Sequence, residues 1–410
     1  MRHFARATEL ALCLLVMLST CSGPPGQSAS ISGIVTASNP ALGPTVQPTI
    51  TPAASGAGVA PSPALEVPAP PLSGVTAPAT SGQLPPAILD RAVQMDTYLS
   101  GLVQQNTFSG AVLVAYQGHV LLSRGYGMAN REQALPAAAS TRFRLASVTK
   151  PLTALGVLRL VAQGQVQLDA PICTYFDPCP AAWQPLTVAN LLHHTSGLPD
   201  YTDFPDYPNV EQLPATSEQV VARFRDMPLA FPPGAGYDYC NSNFVLLSLI
   251  IERVTGKHYA DYMRDEIFAP LGMRDTGLDP GDFSPLGGTR GYAGGVLDIP
   301  ANVSNLYGAG NLYSTVEDLY KLAVALDAGT LLPADLTAQM TTPGDGRYGL
   351  GWMIEQRGPN RLIFHPGSIS GVASWFGRYP DAGLTIIVLS NDYYANVYGI
   401  ADSLAAQIFN

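Results

Sequence analysis

Ser147 and Lys150 stand three residues apart in the run Leu145-Ala146-Ser147-Val148-Thr149-Lys150-Pro151-Leu152, where a β-type segment gives way to a helical one. Residues i and i+3 of a helix share a face, so this spacing sets an amine beside a hydroxyl. A serine hydroxyl attacks well only when a base takes its proton, and an uncharged lysine can be that base. The stretch around Lys150 is apolar and contains no acid that would hold the ammonium charged, so desolvation there favours the free amine. The 410-residue chain has only three lysines. With serine at roughly 7% of an average protein, about one such chain in five would place a serine at i−3 of some lysine by chance. The pair needs company to mean anything.

A nucleophilic serine also requires an oxyanion site and a proton route to the leaving group. At a helix start the backbone N–H of Ser147 is free to point at a developing oxyanion, aided by the helix dipole. Two later clusters carry suitable side chains. Tyr239-Cys240-Asn241 lies just before an apolar helix, and His365-Pro366-Gly367 falls between two late strands. Each also has a purely structural reading: Tyr239 as a phenol at the core edge, Asn241 as a helix cap, His365 as a strand-end histidine. Tyr201 and Tyr207, on a Pro-rich loop, fit either a cleft wall or an exposed loop. The six histidines show no His-Glu-x-x-His or other metal spacing, and His193 and His194 read as structural, so neither a metal nor a cofactor is expected.

These residues must be carried by a scaffold. The periodicity predicts a helix over 88–103 and strands over 110–116 and 119–126, joined by a hairpin at Gln117-Gly118. A third strand over 142–145 leads into the helix that bears Lys150 and runs to about 163, with Pro151 tolerable only near its first turn. An apolar helix is expected over 243–254, and Ser314-Thr315-Val316-Glu317 reads as a capping box opening a helix that ends near Asp327. Strands follow over 349–355, 361–364, 372–378 and 384–390, then a closing helix over 397–409. The expected class is α/β of the α+β type: an antiparallel sheet formed from both ends of the domain, flanked by helices, with a mainly helical lobe inserted.

Upstream of the domain the composition changes. Arg2 and Arg6 precede an apolar run over 10–18, too short for an ordinary membrane span, which reads as a signal peptide over 1–21. Leu18-Ser19-Thr20-Cys21 resembles a bacterial lipoprotein cleavage box, which would make Cys21 a lipid anchor; plain secretion is the alternative, and either way the chain is exported. Residues 22–86 hold 14 of the 36 prolines and one charged side chain, Glu66. Such a segment cannot bury enough apolar surface to offset its ordering entropy and is expected to be a disordered linker of about 45 Å end to end. Residues 87–410 form the folded domain and carry the whole net charge of −10. That charge argues against nucleic acid as a partner and leaves a small molecule or peptide as substrate, with contact to a membrane only through the anchor. Of the remaining cysteines, Cys173 and Cys179 bracket a short loop and either pair or stay free, and Cys240 is left single.

Together the clusters resemble the serine β-lactamase-like, penicillin-binding family, which includes class C β-lactamases, D,D-carboxypeptidases, family VIII esterases and D-amino-acid peptidases. The likeness spans most of 108–390 and includes His194-Thr195-Ser196-Gly197-Leu198, Phe268-Ala269-Pro270-Leu271-Gly272-Met273, the run from Gly308 to Thr315 and Gly349-Leu350-Gly351-Trp352, all in the family's order. It implies a β-lactamase/transpeptidase-like fold. It also implies Ser147 as acylated nucleophile, Lys150 as its activating amine and Tyr239 as proton shuttle. Asn241 would orient substrate, His365 would favour a substrate carboxylate, Gly367 would let substrate lie along the strand edge, and Ser368 would give the second oxyanion N–H.

Two departures narrow the activity. Pro366 replaces the usual threonine and removes a hydroxyl and an N–H, and His365 replaces the lysine of class C β-lactamases. A histidine is only partly charged near neutral pH, so efficient β-lactam hydrolysis is not expected. Cys240 replaces a serine and reads as a packing substitution. The expected function is an exported serine hydrolase cleaving amide or ester bonds through a Ser147 acyl-enzyme, of D,D-carboxypeptidase or D-amino-acid peptidase type. A carboxylesterase or a non-turnover wall-peptide or β-lactam binder are the alternatives.

Overall fold

Gln117 and Gly118 both take positive φ, 49° and 80°. This backbone matches the twist of the strands it joins, so β1 (Gly110–Tyr116) and β2 (His119–Tyr126) pair antiparallel across it. The computed structural model describes residues 85–410 apart from 282 and 284–286. Helix α1 (Pro86–Gln104) precedes the hairpin. The chain then leaves the sheet for α2 (Thr149–Ala162), α3 (Asn241–Thr255) and α4 (Val316–Asp327). It returns as β3 (Met353–Arg357), β4 (Asn360–Ile369), β5 (Val372–Tyr379) and β6 (Leu384–Ser390), and ends in α5 (Val397–Phe409). The sheet order is β3-β4-β5-β6-β1-β2. First and last strands meet in its middle, Gly110 opposite Ser390 and Tyr116 opposite Leu384, so the sheet is built from both ends of the domain as expected.

Both faces of the central strands are covered. Ala111, Leu113, Ile387 and Leu389 pack with the helical lobe, while Val112, Val114, Ile386 and Val388 pack with α1 and α5. Two-sided burial explains why β6 reads as an unbroken apolar run rather than an alternating one. A one-residue slip would exchange the two sets against differently shaped cores, so register is tightly specified.

Several expectations shift on the structure. The strand expected over 349–355 begins only at Met353 because Gly349–Trp352 is a turn: the Gly349 N–H donates to the Trp352 carbonyl, and Gly351 holds φ 84° where a Cβ would strike Ala154. The strand expected over 142–145 is reduced to Phe143–Arg144 and belongs to a separate three-stranded sheet with Leu312–Ser314 and Gly277–Leu278. The cap of α4 is Thr315, accepting from the Asp318 N–H, one residue later than the capping-box reading.

The largest correction concerns His365-Pro366-Gly367, which lies inside β4 rather than between strands. β3 pairs with β4 only as far as Phe364, so residues 365–369 pair with β5 on one side and have no strand partner among the described residues on the other. Proline is tolerated in a strand at such an edge. Cys173 and Cys179 are joined by a disulfide, with Cα atoms 5.4 Å apart. The signal peptide, the Cys21 anchor and residues 22–84 of the linker fall outside the described residues, and its last residue, Pro86, belongs to α1 rather than to the linker. Among those described, no helix is long and apolar enough to cross a membrane.

Candidate active site

Ser147, the candidate nucleophile, sits on a short 3-10 turn, Ala146–Val148, that runs directly into α2. Ala146 takes φ 47°, a conformation that a non-glycine residue adopts at a steric cost and that surrounding contacts must hold. Those contacts are visible. The Leu145 N–H donates to the Leu312 carbonyl, and the Leu145 carbonyl accepts from Ser374 Oγ on β5 at 2.6 Å. Across from them, a Cβ on Gly367 would lie 2.4 Å from the Leu145 carbonyl oxygen and 2.9 Å from the Ser147 nitrogen. Gly367 therefore serves first to let β4 approach the nucleophile turn, rather than to make room for substrate.

Lys150, in the first turn of α2, is fully buried, and its Nζ has three neighbours. Asn241 Oδ1 is at 2.8 Å, the Ala309 carbonyl at 2.9 Å and Ser147 Oγ at 3.1 Å. No carboxylate pairs with it, and burial lowers its pKa to about 7 against a smaller upward pull from Asp200. The neutral amine has two N–H bonds and one lone pair. Asn241 Oδ1 and the Ala309 carbonyl only accept, so they take the two N–H bonds and leave the lone pair facing the Ser147 hydroxyl. Lys150 is thus placed to receive that proton.

The orientation of Asn241 is fixed from its other end. Its Nδ2 donates to Asp200 Oδ2 and Thr202 Oγ1, both at 3.0 Å, and its backbone N–H donates to the same Asp200 oxygen at 2.7 Å. A carboxylate cannot donate, so Asp200 forces the amide oxygen toward Lys150. Asn241 lines the cavity, but its amide is committed to the lysine rather than free to orient substrate as expected. Asp200, which fixes the Asn241 orientation, is a candidate site residue absent from the sequence reading. It sits two residues beyond the His194 to Leu198 stretch, which was the available signal.

The Tyr239 ring centroid is 4.8 Å from Lys150 Nζ, and its phenol is close enough to Ser147 to be influenced by it. Burial holds the phenol far above its ordinary pKa, with Ser147 opposing. Tyr239 is therefore a neutral phenol that can relay a proton, and Lys150 is the group that titrates near neutral pH.

His365 departs furthest from expectation. It is 1% exposed and does not line the cavity. Its Nδ1 lies 2.6 Å from the Pro366 carbonyl, which only accepts, so that nitrogen carries the proton and Nε2 accepts from the Tyr348 hydroxyl at 2.9 Å. Burial, and then the charge of Lys150, push its pKa down to about 3. A neutral, enclosed imidazole cannot meet a substrate carboxylate. Cys240 is likewise buried, donates to the Leu198 carbonyl and has its thiol pushed up to about 12, so it is no second nucleophile.

A cavity of about 520 Å³ opens over Ser147. Ser368, Asn241 and Tyr207 line it, together with Glu211 and Asp298. Tyr201, the other loop tyrosine, is fully buried and donates to the Asn305 carbonyl instead. The described residues that line the cavity include two carboxylates and no Lys, Arg or His. No group of His, Cys, Asp and Glu among the described residues could hold a metal ion.

Known proteins share this arrangement of sheet, lobe and cleft. A penicillin binding protein from Bacillus halodurans superposes with a TM-score of 0.68 at 28% identity, covering 75% of this chain and 98% of that one. A D-amino acid amidase from Ochrobactrum anthropi SV3, solved with L-phenylalanine, gives a TM-score of 0.69 at 28% identity over 78% and 98% of the two chains. Esterase EstB of Burkholderia gladioli is 29% identical over 376 residues, covering 75% of this chain and 92% of its own. The family model described as Beta-lactamase matches residues 93–409, which takes in the whole sheet, the inserted lobe and the Ser147–Lys150 site. With that match over most of its length, and with Ser147 and Lys150 side by side on this scaffold, the chain belongs to the Beta-lactamase family, a family of serine hydrolases.

Proposed function

We propose that the protein hydrolyses amides of the D-amino-acid peptidase or amidase type through a covalent Ser147 acyl-enzyme. In the reaction, Lys150 takes the Ser147 proton as Oγ bonds to the substrate carbonyl carbon. The carbonyl π electrons move to oxygen, where the backbone N–H groups of Ser147 and Ser368 receive the negative charge. The proton held by Lys150 passes through the Tyr239 phenol to the leaving amine as the C–N bond breaks. Water then repeats the sequence: its proton goes to the same base, its oxygen bonds to the acyl carbon, and as the bond from that carbon to Ser147 Oγ breaks the base returns the proton to Oγ, releasing the acid product and restoring the hydroxyl and the free amine.

The observation that carries the substrate class is the sign of the cleft. Glu211 and Asp298 line it without a basic partner in the lining, and His365, which would have supplied a cation, is neutral and buried. Nearby, burial and the charges of Asp200 and Asp238 hold the Asp203 carboxyl above its ordinary pKa, a further sign of a negative field. Such a cleft favours acyl groups bearing an ammonium and disfavours carboxylate-ended D-Ala-D-Ala peptides and β-lactams. The second reading, a carboxylesterase, draws on the apolar side of the mouth. Tyr393, Tyr394 and Ile369 line the cavity, and Tyr394 is 71% exposed. Export, with lipid attachment at Cys21, is part of the same proposal, and mass spectrometry of the mature N-terminus tests it.

Turnover of D-phenylalanine amide, an acetylated D-Ala-D-Ala peptide, nitrocefin and p-nitrophenyl acetate, compared by kcat/KM in wild type and Ser147→Ala, tests the activity. The expected order places the amine-bearing amide first and the two carboxylates last, all abolished without Ser147. A preference for the D-Ala-D-Ala peptide contradicts the substrate class, and p-nitrophenyl acetate first by a wide margin favours the esterase.

A further inference from the structure

His194 does not line the cavity, yet the residues on either side of Tyr239, Asp238 and Cys240 to Asn243, are hydrogen-bonded to it or to the six residues after it. The His194 carbonyl accepts from the Asp238 N–H at 3.0 Å, and its Nδ1 accepts from the Cys240 N–H at 3.0 Å. These two anchors flank Tyr239 in sequence. The same Nδ1 lies 3.1 Å from Asn243 Nδ2, whose amide oxygen accepts from Ser196 Oγ at 2.6 Å. The Leu198 carbonyl then takes Cys240 Sγ, the Pro199 carbonyl takes Ser242 Oγ, and Asp200 takes Asn241. Of residues 238–243, Tyr239 alone makes no hydrogen bond to this strip among the described residues; its ring packs on His194 at 4.4 Å, and its phenol lies within the influence of Ser147.

The chemistry of that contact is specific. A backbone N–H can only donate, so Nδ1 of His194 must be unprotonated and the ring proton sits on Nε2. Nε2 is buried without a hydrogen-bond partner, and the ring packs at 4.4 Å from the Tyr239 ring, 4.6 Å from Tyr348 and 5.2 Å from Phe244. An imidazolium here would lose the acceptor at Nδ1 and bury a charge beside Lys150. Burial and the Lys150 charge accordingly hold the imidazole neutral. His194 also takes φ 58°, a left-handed conformation that histidine and asparagine tolerate better than most residues.

We propose that His194 is a positioning residue for Tyr239: a permanently neutral imidazole whose Nδ1 lone pair and backbone carbonyl clamp the chain on either side of the phenol and so set its distance to Ser147. This rests on the serine hydrolase reading above. Misplacing a reacting group by about 1 Å costs on the order of 100-fold in rate, so the clamp predicts a loss in kcat rather than in KM.

The test compares His194→Asn, whose Oδ1 can stand where Nδ1 does and which tolerates positive φ, with His194→Gln, which places its acceptor one bond further out. Folded fractions are normalised by titrating Ser147 with a fluorophosphonate. The expected result is that His194→Gln loses about 100-fold in kcat at nearly unchanged KM, with the acid limb of its pH profile displaced or flattened. His194→Asn should recover to within about 10-fold of wild type. As a measurement that needs no variant, nitrogen NMR of histidine-labelled wild type should show Nδ1 unprotonated from pH 5 to 9. Equal kcat and identical pH profiles in both variants overturn the proposal, as does a His194 that titrates in that range. Wild type that turns over without any Ser147 adduct overturns the hydrolase reading itself, an outcome distinct from a labelled wild type with unaffected variants.

Discussion

The Nζ of Lys150 lies 3.1 Å from the Oγ of Ser147, with both of its N–H directions already taken by Asn241 Oδ1 and the Ala309 carbonyl. The one remaining direction is a lone pair aimed at the hydroxyl. That relationship holds only while the lysine is uncharged, which ties the activity to pH.

Because burial lowers the Lys150 pKa to about 7, kcat/KM should rise with pH through a midpoint near 7 and level off above it. Below the midpoint the ammonium has no lone pair for the proton. Lys150→Met should abolish this limb and lower kcat by at least about 1000-fold, since it removes the base altogether. A pH–rate profile on a neutral ester, whose own charge does not change, checks both.

Asp200 acts through Asn241 and through its charge. Asp200→Asn frees the Asn241 amide to flip and removes the pull that raises the Lys150 pKa. The expected outcome is a kcat loss of roughly 10- to 100-fold together with an acid limb displaced to lower pH. The two effects separate in the same pH–rate experiment, one as height and the other as midpoint.

Glu211→Gln and Asp298→Asn should weaken amine-bearing substrates and spare neutral ones. A partly solvated ion pair contributes about 1 kcal/mol, so each change should raise KM for D-phenylalanine amide several-fold and leave p-nitrophenyl acetate within about 2-fold. Equal effects on both substrates contradict charge selection by the cleft.

His365 is neutral in the folded protein, with its pKa pushed to about 3 from an ordinary value near 6.5. In the unfolded chain it protonates as pH falls through the ordinary value, so the unfolded state binds the extra proton over this window and stability falls as pH drops from about 6.5 toward 3. His365→Gln should flatten that part of the curve relative to wild type. Urea midpoints measured from pH 7.5 to 4 in both proteins give the difference directly.

Gly367→Ala places a methyl 2.4 Å from the Leu145 carbonyl and from Ser374 Oγ. Overpacking of this kind typically costs about 1–3 kcal/mol. Here it also pushes β4 away from the nucleophile turn, so Ser147 labelling should slow by more than the loss of stability explains. Thermal denaturation alongside the fluorophosphonate labelling rate checks the two together.

Much of this was legible in the chain. The Ser147–Lys150 spacing, the Tyr239 cluster and the joining of the two ends into one sheet all follow from local patterns: a helical i, i+3 pair, a turn before an apolar helix, apolar runs bounded by glycines. What local patterns cannot carry is burial and long-range partnership. His365 reads as a titratable strand-end residue until β4 is seen to continue past it and Tyr348 to cover it. Asn241 reads as a substrate ligand until Asp200, 41 positions away, is seen to turn its amide toward the lysine. The absence of an acid in the Lys150 neighbourhood held in three dimensions only in that no carboxylate among the described residues pairs with the amine; Asp200 contacts it through Asn241 and also pulls on it through its charge.

The central claim is that Ser147 carries the acyl group. Intact-mass and peptide-mapping mass spectrometry on enzyme quenched during turnover of a slow ester tests it most directly. The account predicts a mass increase equal to the acyl group, confined to the peptide containing Ser147 and absent in both Ser147→Ala and Lys150→Met. Turnover with no adduct on that peptide, or an adduct that persists at the same rate in Lys150→Met, would contradict it.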